Sequence, residues 1–393
     1  MSEIFHIYAS QDRNNYAELD LPASDYEMLD LMERLRLEPG QLPYLEILRY
    51  DEKYDYLEKC IQDLPDIYQL NTLARKLAGF TSVQDMASFE GLVGKEIEKG
   101  AAPVELPQLI DFVYSTDCCH VAEDAVTDYE LGRFLAKNGF VPEAEDLSEA
   151  AFELLDFSKI GKEHRESEGG VYTGFGYVEQ HSKVRHVSET MDFQPRKPDY
   201  TILLNMAALP LNERIRDADI LQMKLPAPAE RMQEVLEKLG VNDWNDVVTS
   251  ILDCAVPERN HEMYLDGEVP QIMELAQCLQ ELDARGEIPK YKALLAAKEC
   301  SGLIRMIALA STVDEYILNP RTSCPGDVAM SELRVMIGNE SAGEFAQYVN
   351  LQAFGLSLLE RDHAVITGYG LIERQDGQPI QTMEQKTEGM VMT

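Results

Sequence analysis

An α+β fold built from two tandem, diverged modules is predicted for this chain of 393 residues. Three observations lead there. Sequence anchors recur in one order at nearly constant separation, which marks an internal duplication. Apolar residues alternate in short runs toward both ends of each copy and fall at helical spacing in its middle, so small β-sheets should flank a helical centre. The third observation is charge: 70 Asp and Glu against 35 Lys and Arg leave a net of −35, scattered among apolar residues as on a folded surface. Two modules in tandem should make the body elongated.

The anchors are specific. Leu21-Pro22-Ala23 opens a run ending Met32-Glu33-Arg34-Leu35-Arg36-Leu37, and 204 residues later Leu225-Pro226-Ala227 opens a run ending Leu236-Glu237-Lys238-Leu239-Gly240-Val241. Leu64-Pro65-Asp66-Ile67 with Leu70 and Leu77 matches Val269-Pro270-Gln271-Ile272 with Leu275 and Leu282, at offset 205. Phe89, Leu92 and Val93 match Tyr291, Leu294 and Leu295 at offset 202, and Thr173-Gly174-Phe175-Gly176 matches Thr367-Gly368-Tyr369-Gly370 at offset 194. The first module is therefore placed at residues 1–190 and the second at 191–374. The join falls near Ser188 to Asp199, whose Pro195 and Pro198 disfavour helix. Residues 375–393 lack periodicity and are expected to be a loosely held tail.

In the first copy, Ile4 to Ala9 and Tyr16 to Leu21 read as strands. Ser24 to Leu35 reads as a helix: Leu29, Met32 and Leu35 fall at helical spacing, and Ser24 with Glu27 has the capping-box pattern. Tyr44 to Arg49 alternates as a strand does. Asp66 to Ala78, Val83 to Ile97 and Leu106 to Tyr114 form the helical middle. Thr127 to Lys137 follows, with Thr127 and Glu130 as a second capping box, and the Gly-flanked run Val171 to Glu179 closes the copy as a strand or hairpin.

Composition excludes several classes. An apolar fraction of 45% with 27% charged residues is that of a globular chain. The acid excess argues against direct nucleic-acid binding, which needs Lys and Arg to displace counterions, and against an anionic membrane surface. It favours a basic partner. Seven cysteines, an odd number thinly spread, read as reduced intracellular thiols. No basic start with a long apolar run and no 18-residue apolar stretch is present, so a cytoplasmic protein is expected.

Candidate chemistry is sparse. Cys118-Cys119-His120 lacks a second ligand pair and reads as buried small side chains rather than a metal or nucleophile site. The run Gly169 to Gly176 lacks the G-K-[ST] ending and helix of a phosphate loop, and its recurrence suits a structural hairpin. His120, His164, His181 and His186 are scattered without the grammar of a triad. One tryptophan and 8% aromatic residues make a poor carbohydrate cleft. No catalytic group, metal or cofactor is expected.

The acids are the informative feature. Residues 1–196 hold 39 acids and 18 bases, and the rest hold 31 and 17. The densest region contains Glu105, Asp111, Asp117, Glu123, Asp124, Asp128, Glu130, Glu143, Glu145, Asp146, Glu149, Glu153 and Asp156, with only Arg133 and Lys137 as bases. B-DNA carries one charge per roughly 1.7 Å, so the net charge at that density spans roughly 60 Å of duplex. A folded body bearing it could occupy a DNA-binding groove, and such self-repulsion is easier to understand where something uses it.

The stretches Leu21 to Leu37, Ile67-Tyr68-Gln69-Leu70-Asn71-Thr72-Leu73-Ala74, Phe89-Glu90-Gly91-Leu92, Tyr114 to Val121 and Leu131-Gly132-Arg133-Phe134 resemble the ArdA antirestriction family. The resemblance covers the first 180 or so residues, and the second copy only through the repeat. It implies a DNA mimic carried by mobile genetic elements, acting in the DNA-binding groove of type I restriction–modification enzymes. It also implies an elongated shape and dimerisation, which leaves a homodimer open. The thirteen acids above are then the expected phosphate-mimicking, partner-binding residues. The chain is roughly twice the family's usual length, and Tyr8 to Asn14 lacks its glycine-bearing, asparagine-rich opening. Two alternatives stay open: an acidic inhibitor or adaptor of another nucleic-acid-binding defence complex, and a hydrolase with paired carboxylates.

Overall fold

The computed structural model describes residues 2–37, 40–61, 65–100, 103–145, 147–208, 220–257, 269–300 and 302–382. Leu64 of the second anchor and residues 383–393 of the expected tail lie outside them. The fold is α+β, with small three-stranded sheets among helices. The first copy runs β1 (Phe5–Ser10), β2 (Tyr16–Leu21), α1 (Asp25–Leu35), β3 (Tyr44–Tyr50), α2 (Ile67–Ala78), α3 (Val83–Glu98), α4 (Leu106–Val113), β4 (Cys119–Glu123), α5 (Asp128–Lys137), α6 (Glu149–Phe152), α7 (Phe157–Glu168), β5 (Val171–Thr173) and β6 (Gly176–Gln180).

The second copy repeats that order element for element. It runs β7 (Ile202–Ala208), β8 (Leu221–Leu225), α8 (Ala229–Leu239), β9 (Val247–Cys254), α9 (Val269–Ala284), α10 (Ile288–Ala297), α11 (Leu303–Ala310), β10 (Tyr316–Asn319), α12 (Pro325–Ile337), α13 (Asn339–Phe345), α14 (Leu351–Asp362), β11 (Val365–Thr367) and β12 (Gly370–Arg374). Sheet orders correspond too: β2-β1-β3 with β8-β7-β9, and β4-β6-β5 with β10-β12-β11. The Leu-Pro bonds of the first anchors, Leu21-Pro22 and Leu225-Pro226, are both cis.

The closing hairpins agree down to single hydrogen bonds. Thr173 Oγ1 donates to Gly176 O at 2.9 Å and accepts from Phe175 N–H at 3.2 Å. Thr367 does the same with Gly370 and Tyr369, at 2.9 and 3.2 Å. The glycine run of the sequence is therefore a turn whose threonine replaces a missing backbone partner, in both copies. Between Ser188 and Asp199 the connector forms neither helix nor strand.

Helix starts follow the sequence, with one difference. At α1 the capping box is complete: Ser24 Oγ accepts from Glu27 N–H at 3.1 Å, and Glu27 Oε2 accepts from Ser24 N–H at 2.7 Å. At α5, Thr127 caps Glu130 N–H, but the Glu130 carboxylate takes Val126 N–H and the Thr127 hydroxyl instead of Thr127 N–H. Strand β4 and helices α6 and α7 were not expected from the sequence.

Contacts divide the chain into two compact units, and the division does not follow the repeat. The first holds residues 1–9, 18–23 and 42–194; the second holds 10–17, 24–41 and 195–393. In the first unit, Asn71 of α2 clamps the backbone of Ala23 through both N–H (2.8 Å) and carbonyl (3.1 Å), and Arg75 donates to the same carbonyl. Ala122 of β4, Leu131 and Leu135 of α5 and Tyr177 of β6 form one apolar cluster there.

In the second unit, Ile202 and Leu204 of β7, Leu275 and Leu279 of α9, Tyr291 and Leu294 of α10 and Met306 of α11 form the core, joined by Tyr26 of α1. Helix α1 is fixed by polar contacts as well. Ser24 Oγ donates to Asp253 at 2.7 Å, and the Tyr26 hydroxyl donates to Tyr200 O. Lys292 of α10 donates to Asp30 at 2.6 Å and Glu33 at 2.8 Å. The start of the C-terminal run is held: Gln375 N–H donates to Glu315 O at 2.9 Å, and Ile380 packs on the core.

Candidate acidic interface

The candidate residues sit in the first unit, around β4 and the three-helix wing α5–α7. Helices α5 and α7 approach closely because each has glycine at the contact, Gly132 and Gly161. Phe157 of α7, Ala136 of α5 and Ala144 close the wing's small core. Between the two helices, residues 138–156 turn Ala144, Phe152 and Leu155 onto this core and leave their described polar side chains exposed.

Twelve of the thirteen sequence-selected acids lie among the described residues; Asp146 lies outside them. Asp111 is a correction to the list: it is buried, its carboxylate accepts from Ser188 N–H at 2.8 Å, and it pairs with His186 at 3.2 Å. A carboxylate spent in that way holds the connector and is not offered to a partner. Three more acids are ion-paired: Asp117 with Arg185, Asp128 with Arg165 at 2.9 Å, and Glu153 with Arg133 at 3.0 Å. Glu130 and Asp156 cap α5 and α7. The remaining six, Glu105, Glu123, Asp124, Glu143, Glu145 and Glu149, are exposed and form no ion pair among the described residues.

Those six are not equivalent. Glu105 lines a groove of about 780 Å³ between α3, α4 and the irregular segment that follows β6, where Lys95, Lys99 and Lys183 also gather. Its charge is locally offset. Glu123 ends β4 and Asp124 follows it, while Glu143 and Glu145 lie between α5 and α6 and Glu149 opens α6. Among the described residues none of these five has an ion-pair partner, so no direct pairing offsets their charge. The sequence window ended at Asp156 and missed Glu163 and Glu166 on α7, which sit near Lys159 and Lys162 at 3.8 and 3.9 Å. Exposed pairs of that length are worth little, so these acids also add to the outward field.

Asp128 anchors the wing to the hairpin. It accepts from Arg165 Nε at 2.9 Å and from the Tyr172 hydroxyl at 2.8 Å. The Arg165 guanidinium, and then the Tyr172 hydroxyl, hold its carboxyl below the usual range. The sign is that of a depressed acid: its stabilisation is present above the unfolded value near 3.9 and is lost as pH falls through the lower folded value. Asp128→Asn should cost about 1 kcal/mol, since the pair is partly exposed. A carboxyl ¹³C titration placing Asp128 at or above the unfolded value would contradict this.

The same wing in the second copy carries a different surface. Residues 141–165 hold ten charged side chains, seven of them acidic, whereas residues 335–359, at offset 194, hold only Glu340 and Glu344. There Val335 and Tyr348 stand 83% and 79% exposed.

Compared with known proteins, the sequence matches no family model, and no curated protein matches it. Around the acidic wing, Cys118 and Cys119 are buried with their sulfurs 3.8 Å apart, and burial pushes the Cys119 thiol up, away from the thiolate a nucleophile needs. His120 is exposed and stacks on His181 at 4.2 Å. No helix among the described residues is long and apolar enough to cross a membrane.

Proposed function

We propose that this chain is a non-enzymatic antirestriction protein, an acidic mimic of B-form DNA that occupies the DNA-binding groove of a type I restriction–modification enzyme. The observation that carries the reading is the acid set Glu123, Asp124, Glu143, Glu145 and Glu149, exposed and without an ion pair among the described residues. Carboxylates held on a folded body attract the same Lys and Arg side chains that phosphates do, and their association releases counterions in the same way. The resemblance of the first copy to ArdA proteins supports the same partner. The site of action is then the cytoplasm of a cell receiving foreign DNA.

Cleavage of unmodified plasmid by a purified type I enzyme, titrated with this protein beside a type II control, tests the reading. Selective block at near-stoichiometric protein, relieved by salt, is the expected result. Neutralising Glu143, Glu145 and Glu149 together should weaken inhibition gradually and lower the salt slope by roughly 0.9 for each acid that replaces a phosphate contact. An abrupt loss from one substitution would point to catalysis instead. No inhibition at large excess would remove the antirestriction assignment for that enzyme, and binding without displacement of DNA would favour an adaptor.

A further inference from the structure

On the outward face of the first sheet, far along the chain from the acidic wing, four ionisable side chains converge. Strand alternation puts them there. Phe5, Ile7 and Ala9 of β1 are buried, so His6 faces outward; Ala17 and Leu21 of β2 are buried, so Glu18 and Asp20 face outward beside it. The ends of this hairpin are fixed by Ile4 N–H to Leu21 O at 2.7 Å and Gln11 N–H to Asn15 O at 2.9 Å. Glu3, just before β1, completes the group.

We infer that Glu3, His6 and Asp20 form a binding site for one divalent transition-metal cation. One ligand atom from each lies within 4.8 Å of the others, so small side-chain adjustments bring all three onto one ion. His6 Nδ1 is 2.5 Å from Asp20 Oδ1, and Nε2 is 3.2 Å from Glu18 Oε2. This places the histidine as metal-site histidines are placed: a carboxylate on one ring nitrogen fixes the tautomer and aims the other at the ligand. Glu18 accepts from Nε2–H, and Nδ1 is left to the cation together with Asp20 and Glu3. Binding replaces the Nδ1 proton, which leaves to solvent.

The donor set selects the class of ion. One imidazole with two carboxylates suits zinc or manganese, while the nitrogen disfavours magnesium and calcium and the lack of thiolate disfavours copper(I). The negative field of the whole chain raises the local cation concentration. One group competes: Arg49 on β3 bonds Glu3 and must release it. That competition gives the inference a signature that diffuse attraction to acids lacks. It does not depend on the inhibitor reading.

The test uses the full-length, tag-free protein and Zn²⁺ as probe, by calorimetry in the presence of excess Mg²⁺ and high salt to suppress diffuse binding. One Zn²⁺ per chain is expected. His6→Ala and Asp20→Asn should weaken it by at least about tenfold, Glu18→Gln by about tenfold, and Arg49→Gln should tighten it. Wild-type affinity in His6→Ala, or displacement of all zinc by Mg²⁺, overturns the inference. Should His6→Ala prove unfolded by circular dichroism, the ¹⁵N shifts of the wild-type His6 ring decide: unmoved by zinc, they overturn it as well.

Discussion

Lys292→Ala is expected to destabilise the second unit by about 3–5 kcal/mol, the cost typical of breaking a buried ion pair from one side. The side chains of Lys292 and Asp30 are 5% and 6% exposed, so an orphaned Asp30 has little water to turn to. Glu33, at 36%, can be hydrated and suffers less. The ammonium also lies 5.6 Å from the Tyr369 ring centroid, and the Tyr369 hydroxyl donates to Asp30 at 2.9 Å, so one lysine organises three elements. Trp244, the only tryptophan, packs on this unit's core and reports its urea unfolding directly. Combining Lys292→Met with Asp30→Asn should restore most of the loss, because an apolar and a neutral partner remove the uncompensated charge. An unchanged midpoint in Lys292→Ala would mean that the ion pair does not hold α1.

The pH dependence of this cluster has a definite sign. Burial pulls the Lys292 ammonium down, but Asp30 and Glu33 outweigh it and its pKa is raised. Its stabilisation is then full below the unfolded value near 10.4 and is lost as pH rises through the folded one. The Tyr26 and Tyr200 hydroxyls, both pushed up by burial, act in the same alkaline direction. Burial also raises Glu33, and the sign is the same in a lower pH range: its contribution is full below the unfolded value near 4.3 and is lost as pH rises through the folded one.

Gly161→Ala should destabilise the first unit by about 1–3 kcal/mol or more, although alanine is the better helix former by roughly 1 kcal/mol. A Cβ on Gly161 would stand 1.9 Å from Asp128 O and 2.8 Å from Gly132 N, both backbone atoms that cannot rotate away. Helices α5 and α7 would have to separate, disturbing the Arg165–Asp128 contact between them. The second copy has the same requirement at Gly355, 1.8 Å from Pro325 O. Gly94→Ala is the matched control: it lies in α3 with nothing within 4 Å of the added carbon, so it should stabilise by roughly 1 kcal/mol. Thermal melts with amide exchange over α5 and α7 would measure both, and equal shifts of one sign would refute the argument.

That glycine also explains what the sequence concealed. Helices α2, α3 and α4 were legible because apolar side chains recur on their inner faces. The inner stripe of α7 is Phe157, Ile160 and Gly161, and a glycine chosen for close approach registers as a gap in any hydrophobic pattern. Strand β4 was hidden for another reason: its partner β6 is distant in sequence, with Cys119 opposite Gln180, 61 positions later. Acid density was plain in the composition, but which acids remain free was not. Asp111 is satisfied by Ser188, Asp117 by Arg185 and Asp128 by Arg165, partners that no local window contains. The outward-facing group around His6 could have been found from β2, where Glu18 and Asp20 alternate with buried residues.

Helix α1 gives the duplication a direction in time. A tandem repeat is ordinarily undone by deletion, since either copy can carry on alone. Here a gene cut at residue 195 would encode a second copy lacking Ser24, Tyr26, Asp30 and Glu33, leaving Asp253 with only the Tyr200 hydroxyl of its two hydroxyl donors, the core without the Tyr26 ring and Lys292 without either carboxylate. Each further substitution that adapts this bed to α1 raises the cost of returning to a single module. The dependence works as a ratchet, and the two copies persist as one inheritance rather than as a pair of spare parts.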